Sequence, residues 1–420
     1  MSIRTQLVTA RSRAVALPPE VREGTNFLYK NSAISLLLCM NRFRSTKFSK
    51  ILRLILFAAE SFEQRLASLD SSHCLTSEEL SSSGLLKKKH YYYGAYLSAL
   101  TSIPMLSPSA DCTQALYSMV AKTSAITSIK VLDNINDQLR NKQEAVESQR
   151  KHLRAFTREL FNLDYEEGFM RRAENSCMNM ARWTFELVNR GLRKASEMLR
   201  IYRRDFEDYI DGQMKSIDEK ANGSTPTTTI RDYLQKVNEK SVGKIWVDID
   251  FCFLEKALGG LDQSEFKAVL GVRRAADCFF KGCNLYDDIA DLEEDLRLGI
   301  FNSVPLLALD RGMIDESDLK RNGQELLGIL KQSDVINEVV QLGDLIFLQG
   351  IKPLTEAKEL TKVIDIDAIV FGAKVLRMFA IRKWLFHERS LNSICKTAIS
   401  LGSLGMYRIS DPIAAYAKYI

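Results

Sequence analysis

Proline is scarce in this 420-residue chain, with eight in all, at 18, 19, 104, 108, 226, 305, 353 and 412. The interval from 109 to 225 has none, so several helices can run there without a missing donor or a ring clash. Alternating β-branched patterns are also rare, and apolar residues recur at steps of three and four. Histidine is nearly absent: His73, His90, His152 and His387 are the only four, at no metal-ligand spacing. The eight cysteines form no C-x-x-C pair. A zinc site is therefore disfavoured, and reduced thiols in a cytoplasmic protein are the plain reading. No stretch approaches the roughly 18 apolar residues of a spanning helix, since 34–40 and 51–59 are the best and polar or charged residues break them. Charge of one sign is lacking too. The net charge is +5 with no basic block, so nucleic acid is a poor partner.

What remains is ample core material: 46% hydrophobic and 26% charged residues. Breaks fall at 70–83, 107–111, 221–229 and 259–260, with further stops near Pro305 and Pro353. The expectation is an all-α fold, one helical bundle from 27 to 420 around a central apolar cavity, preceded by an arm over 1–26. Residues 1–19 carry Arg4, Arg11 and Arg13 with no acid before Glu20, so an organelle transit peptide is the alternative to a plain arm.

Two acidic stretches carry the chemistry. In the first, Asp133-Asn134-Ile135-Asn136-Asp137, the aspartates stand four apart and continue the stripe of Ile126 and Ile129. Residues at that spacing share one helix face. In the second, a helix starting near Gln263 carries Val269, Val272, Ala276, Phe280 and Cys283, and Asp287 and Asp291 extend the same stripe. Asp288 and Asp295 lie close beside it. Carboxylates on a face that should be buried are costly unless something cationic meets them. Facing one another, the stretches would offer hard oxygen ligands suited to Mg²⁺, which keeps waters and bridges to phosphates. Below, the apolar stripes would line a dry pocket. Phe279, Phe280, Trp183 and Trp246 are candidate cation-stabilising faces there, though each is also an ordinary core residue.

Paired aspartate-rich motifs of this kind resemble the class I isoprenoid synthase superfamily. Asp133-Asn134-Ile135-Asn136-Asp137 resembles its first D-D-x-x-D, with Asn134 replacing the second aspartate. Asp287, Asp288 and Asp291 resemble the second D-D-x-x-D of prenyl diphosphate synthases. Asp287, Asp291 and Asp295 also resemble the N-D-x-x-S-x-x-x-E triad of terpene cyclases, with aspartate at the three ligand positions. The run Asp291, Glu294-Asp295 and Gly299 is similar to a phytoene synthase motif. Gly212-Gln213 with Asp218, and Tyr233-Leu234 with Lys240-Ser241, resemble further motifs of the prenyl synthases. The resemblance covers roughly residues 84 to 310.

It implies a site of three Mg²⁺ ions, with Asp133, Asp137, Asp287, Asp288, Asp291 and Asp295 as metal ligands. Asp133, Asp137, Asp287 and Asp291 would be the residues on which catalysis depends. Lys240 and Arg297 would steady the diphosphate of a prenyl diphosphate substrate, and a homodimer is compatible with the family. Chain-elongating members follow the first motif with an Arg-Arg pair, and here only Arg140 and then Lys142 occur. The upstream G-G-K-R-x-R motif is missing, although Gly84 and Lys87-Lys88-Lys89 sit near its place. Terpene cyclisation is therefore preferred. Prenyl transfer, elongating or head-to-head, is the alternative, and a non-catalytic helical scaffold the second.

Overall fold

The computed structural model describes residues 48–139, 141–158, 168–192, 196–221, 229–239, 241–387 and 409–420. The expected arm (1–26), Arg140 and Lys240 lie outside the described residues. The chain divides into Met1–Met40 and Asn41–Ile420, and everything below belongs to the second unit.

Every regular element among the described residues is helical. In chain order they are α1 (Phe48–Ala67), α2 (Ser77–Ser82), α3 (Lys88–Leu106), α4 (Cys112–Leu139), α5 (Lys142–Thr157), α6 (Phe169–Asn189) and α7 (Glu197–Ala221). Then follow α8 (Ile230–Glu239), α9 (Gly243–Leu258), α10 (Gln263–Arg297), α11 (Ser303–Asp310), α12 (Gly323–Gln332), α13 (Val335–Lys358), α14 (Ile366–His387) and α15 (Asp411–Ala414). None is long and apolar enough to cross a membrane.

Local chemistry sets the boundaries that matter. Asp262 caps α10 by accepting from the Glu265 N–H at 2.8 Å, while Glu265 accepts from the Asp262 N–H at 3.1 Å. This reciprocal pair satisfies two donors left open at a helix start. Gly259, with φ of 72°, ends α9 in the left-handed region that glycine reaches without penalty. One proline does not act as expected. Pro353 lies inside α13 and does not stop its helix, just as Pro104 lies inside α3. Packing is the reason at Pro353: it is buried, and its carbonyl lies 3.1 Å from where a Cβ on Gly271 of α10 would sit.

That contact belongs to a seam between α10 and α13. A Cβ on Gly343 would stand 2.5 Å from the Tyr286 ring, and one on Gly282 2.5 Å from Phe347. Only glycine allows this approach. Arg377 of α14 locks the seam, holding Asp344 through two bonds of 2.6 and 2.8 Å, while the Tyr286 hydroxyl donates to Asp344 at 2.5 Å.

Candidate active site

The helix α9 packs against both α4 and α10, the helices that carry the acidic stretches. Lys122 of α4 contacts both Trp246 and Asp250 of α9, and Ser118, one turn earlier, also bonds Asp250. Arg273 of α10 meets Asp248, whereas Asp277, further on, lies against Gly243. Higher numbers in α9 thus meet lower numbers in both neighbours. So α4 and α10 both run antiparallel to α9 and parallel to each other, and their acidic C-terminal turns lie at one end of the bundle. From Lys122 to Asp133 the rise is about 17 Å, and from Arg273 to Asp287 about 21 Å, at 1.5 Å per residue.

At that end Asp133 and Asp287 are half-buried, and Asp137 and Asp291 exposed. Burial raises the Tyr209 hydroxyl of α7 well above its ordinary pKa, and the Asp133 charge raises it further, while a hydrogen bond with Gln213 opposes this. The Gly212-Gln213 pair therefore lies on the part of α7 that borders the first stretch. Burial likewise raises the Cys283 thiol, and the Asp287 charge adds to it. Asn134 points elsewhere, and its amide donates to the Leu85 carbonyl at 2.9 Å. Neither amide atom of Asn136 finds a hydrogen-bond partner, though both are buried.

Asp288 and Asp295 are held in the corner between α10 and α11. The Tyr233 hydroxyl of α8 donates to Asp288 at 2.7 Å, and the Ser303 N–H does so at 3.2 Å. Asn302 donates to the Asp288 carbonyl and to the Asp295 carboxylate, both at 2.8 Å. Burial lifts the Asp288 carboxyl to about 7, and Asp295 adds to the rise against the pull of Ser303 and Tyr233. Arg297 is exposed at the last turn, 3.9 Å from Glu294.

The α10 stripe expected from spacing does line an apolar pocket. Val272, Ala276 and Phe280 border it, with Trp246 of α9, Thr101 of α3 and Gly372 of α14. Its open volume is about 30 Å³, room for roughly one water. Trp246 and Phe280 meet there with ring centroids 5.7 Å apart, whereas Trp183 packs on Phe62 in a separate part of the core.

Sequence reasoning missed the charges beneath this pocket wall. Lys122 is fully buried, donates to Asp250 and to Thr101 (2.6 Å), and stands 5.0 Å over the Trp246 ring. Burial brings its ammonium down to about 8, against the pull of Asp250. Ser118 donates to the other Asp250 oxygen at 2.6 Å. Nearby, Arg273 binds Asp248 at 2.6 Å and also Asp205 of α7. The signal was available: Lys122 stands four before Ile126 on the stripe that ends in Asp133, and Asp248 and Asp250 interrupt an apolar run.

Among the described residues no group of three or more His, Cys, Asp or Glu side chains is assembled to hold a metal alone. The donors still suit Mg²⁺, which commonly takes one or two carboxylates and completes its shell with waters and substrate phosphates.

No protein-family model matches the sequence, and no curated protein matches it. Solved structures do overlap. A double mutant of the SVS_A2 protein from ancestral sequence reconstruction covers 80% of this chain and 85% of its own, at 15% identity and TM-score 0.52. For geranylgeranyl pyrophosphate synthetase from Pyrococcus horikoshii the figures are 78%, 97%, 15% and 0.49. For a-eudesmol synthase they are 78%, 94%, 10% and 0.47. Identities this low bear on fold and not on activity. The chain has an all-α fold that overlaps that of the SVS_A2 protein.

Proposed function

We infer that this protein is a Mg²⁺-dependent class I terpene synthase, which ionises a prenyl diphosphate, releases diphosphate and closes the cation into a terpene hydrocarbon or alcohol. The observation that supports it is the pair of parallel helices, α4 and α10, whose acidic turns end at the same side of an apolar interior. Bound Mg²⁺ would supply Lewis-acid polarisation of the leaving diphosphate. Asp133 and Asp137 would hold it from α4, and Asp287 and Asp291 from α10. Asp288 and Asp295 brace the corner with α11 and set the direction of the α10 carboxylates. Lys240 and Arg297 are the cations proposed for the diphosphate. Two diphosphates per turnover would require cations that the single Arg140 does not supply, which favours cyclisation over elongation.

The test incubates purified protein with labelled C10, C15, C20 and C25 diphosphates and Mg²⁺, with and without isopentenyl diphosphate. A hydrocarbon or alcohol of unchanged carbon number in both tubes is expected. A longer prenyl diphosphate only in the second tube would make it an elongating synthase, and a doubled product a head-to-head one. No consumption of any substrate would leave the scaffold reading.

A further inference from the structure

Resting on that reading, we propose that the buried Lys122–Asp250 and Arg273–Asp248 pairs make α9 the register key of the active site. They are positioning residues that hold the two acidic turns level with each other. Three observations lead there. First, α4 and α10 barely touch, and α9 is a helix that packs against both, so it links their relative heights directly. Second, the two pairs are spaced for the purpose: Asp248 and Asp250 are two apart on α9, one taking the cation of α10 and the other that of α4. Third, both cations continue the faces that carry the carboxylates. Lys122, Ile126, Ile129, Asp133 and Asp137 follow at steps of three or four, and Arg273, Phe280, Asp287 and Asp291 at steps of seven and four.

The energetics favour a registry role over a stabilising one. Fully burying two charges costs several kcal/mol each, and apolar replacements of similar volume are often neutral or stabilising. An apolar interface of α4 on α9 would tolerate sliding, because its ridges and grooves repeat each turn. An ammonium matched to one carboxylate has a single low-energy position. Ser118 and Thr101 sharpen it by occupying the second Asp250 oxygen and a further Lys122 proton.

The decisive variant is Lys122→Met with Asp250→Val, which removes both charges at close to the same volume. Labels on Lys130 of α4 and Glu293 of α10, both exposed, report the distance between the helices without reference to activity. The expected result is an unchanged or higher melting temperature, with a distance distribution that broadens or shifts by up to about 5.4 Å, one helical turn. In the same variant, half-saturation by Mg²⁺ for diphosphate release rises about tenfold, in the range that ligand-supporting partners show. The milder Ser118→Ala variant moves both readouts in the same direction by less. An unshifted distribution in both variants overturns the proposal, as does a double variant that fails to fold while Ser118→Ala leaves the distance unchanged. If the wild-type protein releases no diphosphate, the function fails, and the label distances still decide whether the pairs set the register.

Discussion

The two acidic stretches have similar composition and occupy different environments. At the end of α4, one asparagine is tied to the Leu85 carbonyl and the other has a buried amide without a partner. At the end of α10, two of four aspartates are bolted to Tyr233, Asn302 and Ser303 from outside that helix. The α10 end is a fixed wall, cross-braced before any ligand arrives. The α4 end instead keeps one buried amide, that of Asn136, without a hydrogen-bond partner.

The largest effect should come from the carboxylates proposed as metal ligands rather than the braces. Asp133→Ala and Asp287→Ala should each lower diphosphate release by about 10²–10³, as loss of a charge-stabilising group does elsewhere. Their thermal unfolding in the absence of metal should match wild type. Full turnover in either variant, or in excess EDTA, would refute the paired-wall reading.

Next come the braces. Asp288→Ala strands the Tyr233 hydroxyl and the Ser303 N–H, which should cost about 1–3 kcal/mol in denaturant unfolding. Asp291→Ala, on an exposed carboxylate, should leave stability within about 0.5 kcal/mol. Equal losses in both would erase the distinction between brace and ligand.

The pH dependence sharpens the same point. The folded Asp288 carboxyl has a pKa of about 7, against an ordinary value of 3.8. Between these values the folded state holds a proton that the unfolded state has lost. This group therefore makes stability fall as pH rises from about 4 to 7, by at most about 1.4 kcal/mol per unit, and contributes no slope above that. Asp288→Asn should flatten that part of the stability–pH curve, and an unchanged slope would assign it to other groups.

The smallest effect concerns the looser end. Asn136→Leu removes an amide that lacks a partner, so stability should hold or rise by about 1 kcal/mol, measured by thermal unfolding without ligand. A loss instead would mean the amide is satisfied in solution.

Much of this was legible in the sequence because helix periodicity and capping are local. The start of α10 at Gln263 and the stripe from Val272 through Phe280 to Asp287 follow from spacing alone. Proline was a poorer guide: its cost inside a helix is met by packing on another segment, as at Pro353 against Gly271. The braces were hidden for a similar reason. Tyr233 lies 55 positions from Asp288 and Asn302 seven from Asp295 across a turn, so neither pairing shows in any periodicity. Lys122 and Asp250 were visible as charges in apolar runs, but their pairing spans 128 residues.

The glycine seam between α10 and α13 has a consequence for the order of assembly. Its lock, Tyr286 to Asp344, joins residues 58 apart, whereas the α4–α9 contacts through Asp250 close spans of 128 and 132. Loop closure costs more entropy as the span grows, and nearby contacts form sooner. By span alone the seam closes ahead of the α4–α9 contacts, so α9 meets α4 from a half that already carries its wall of aspartates. A branched side chain in that seam, as in Gly343→Val, would slow refolding before it altered anything at the acidic end.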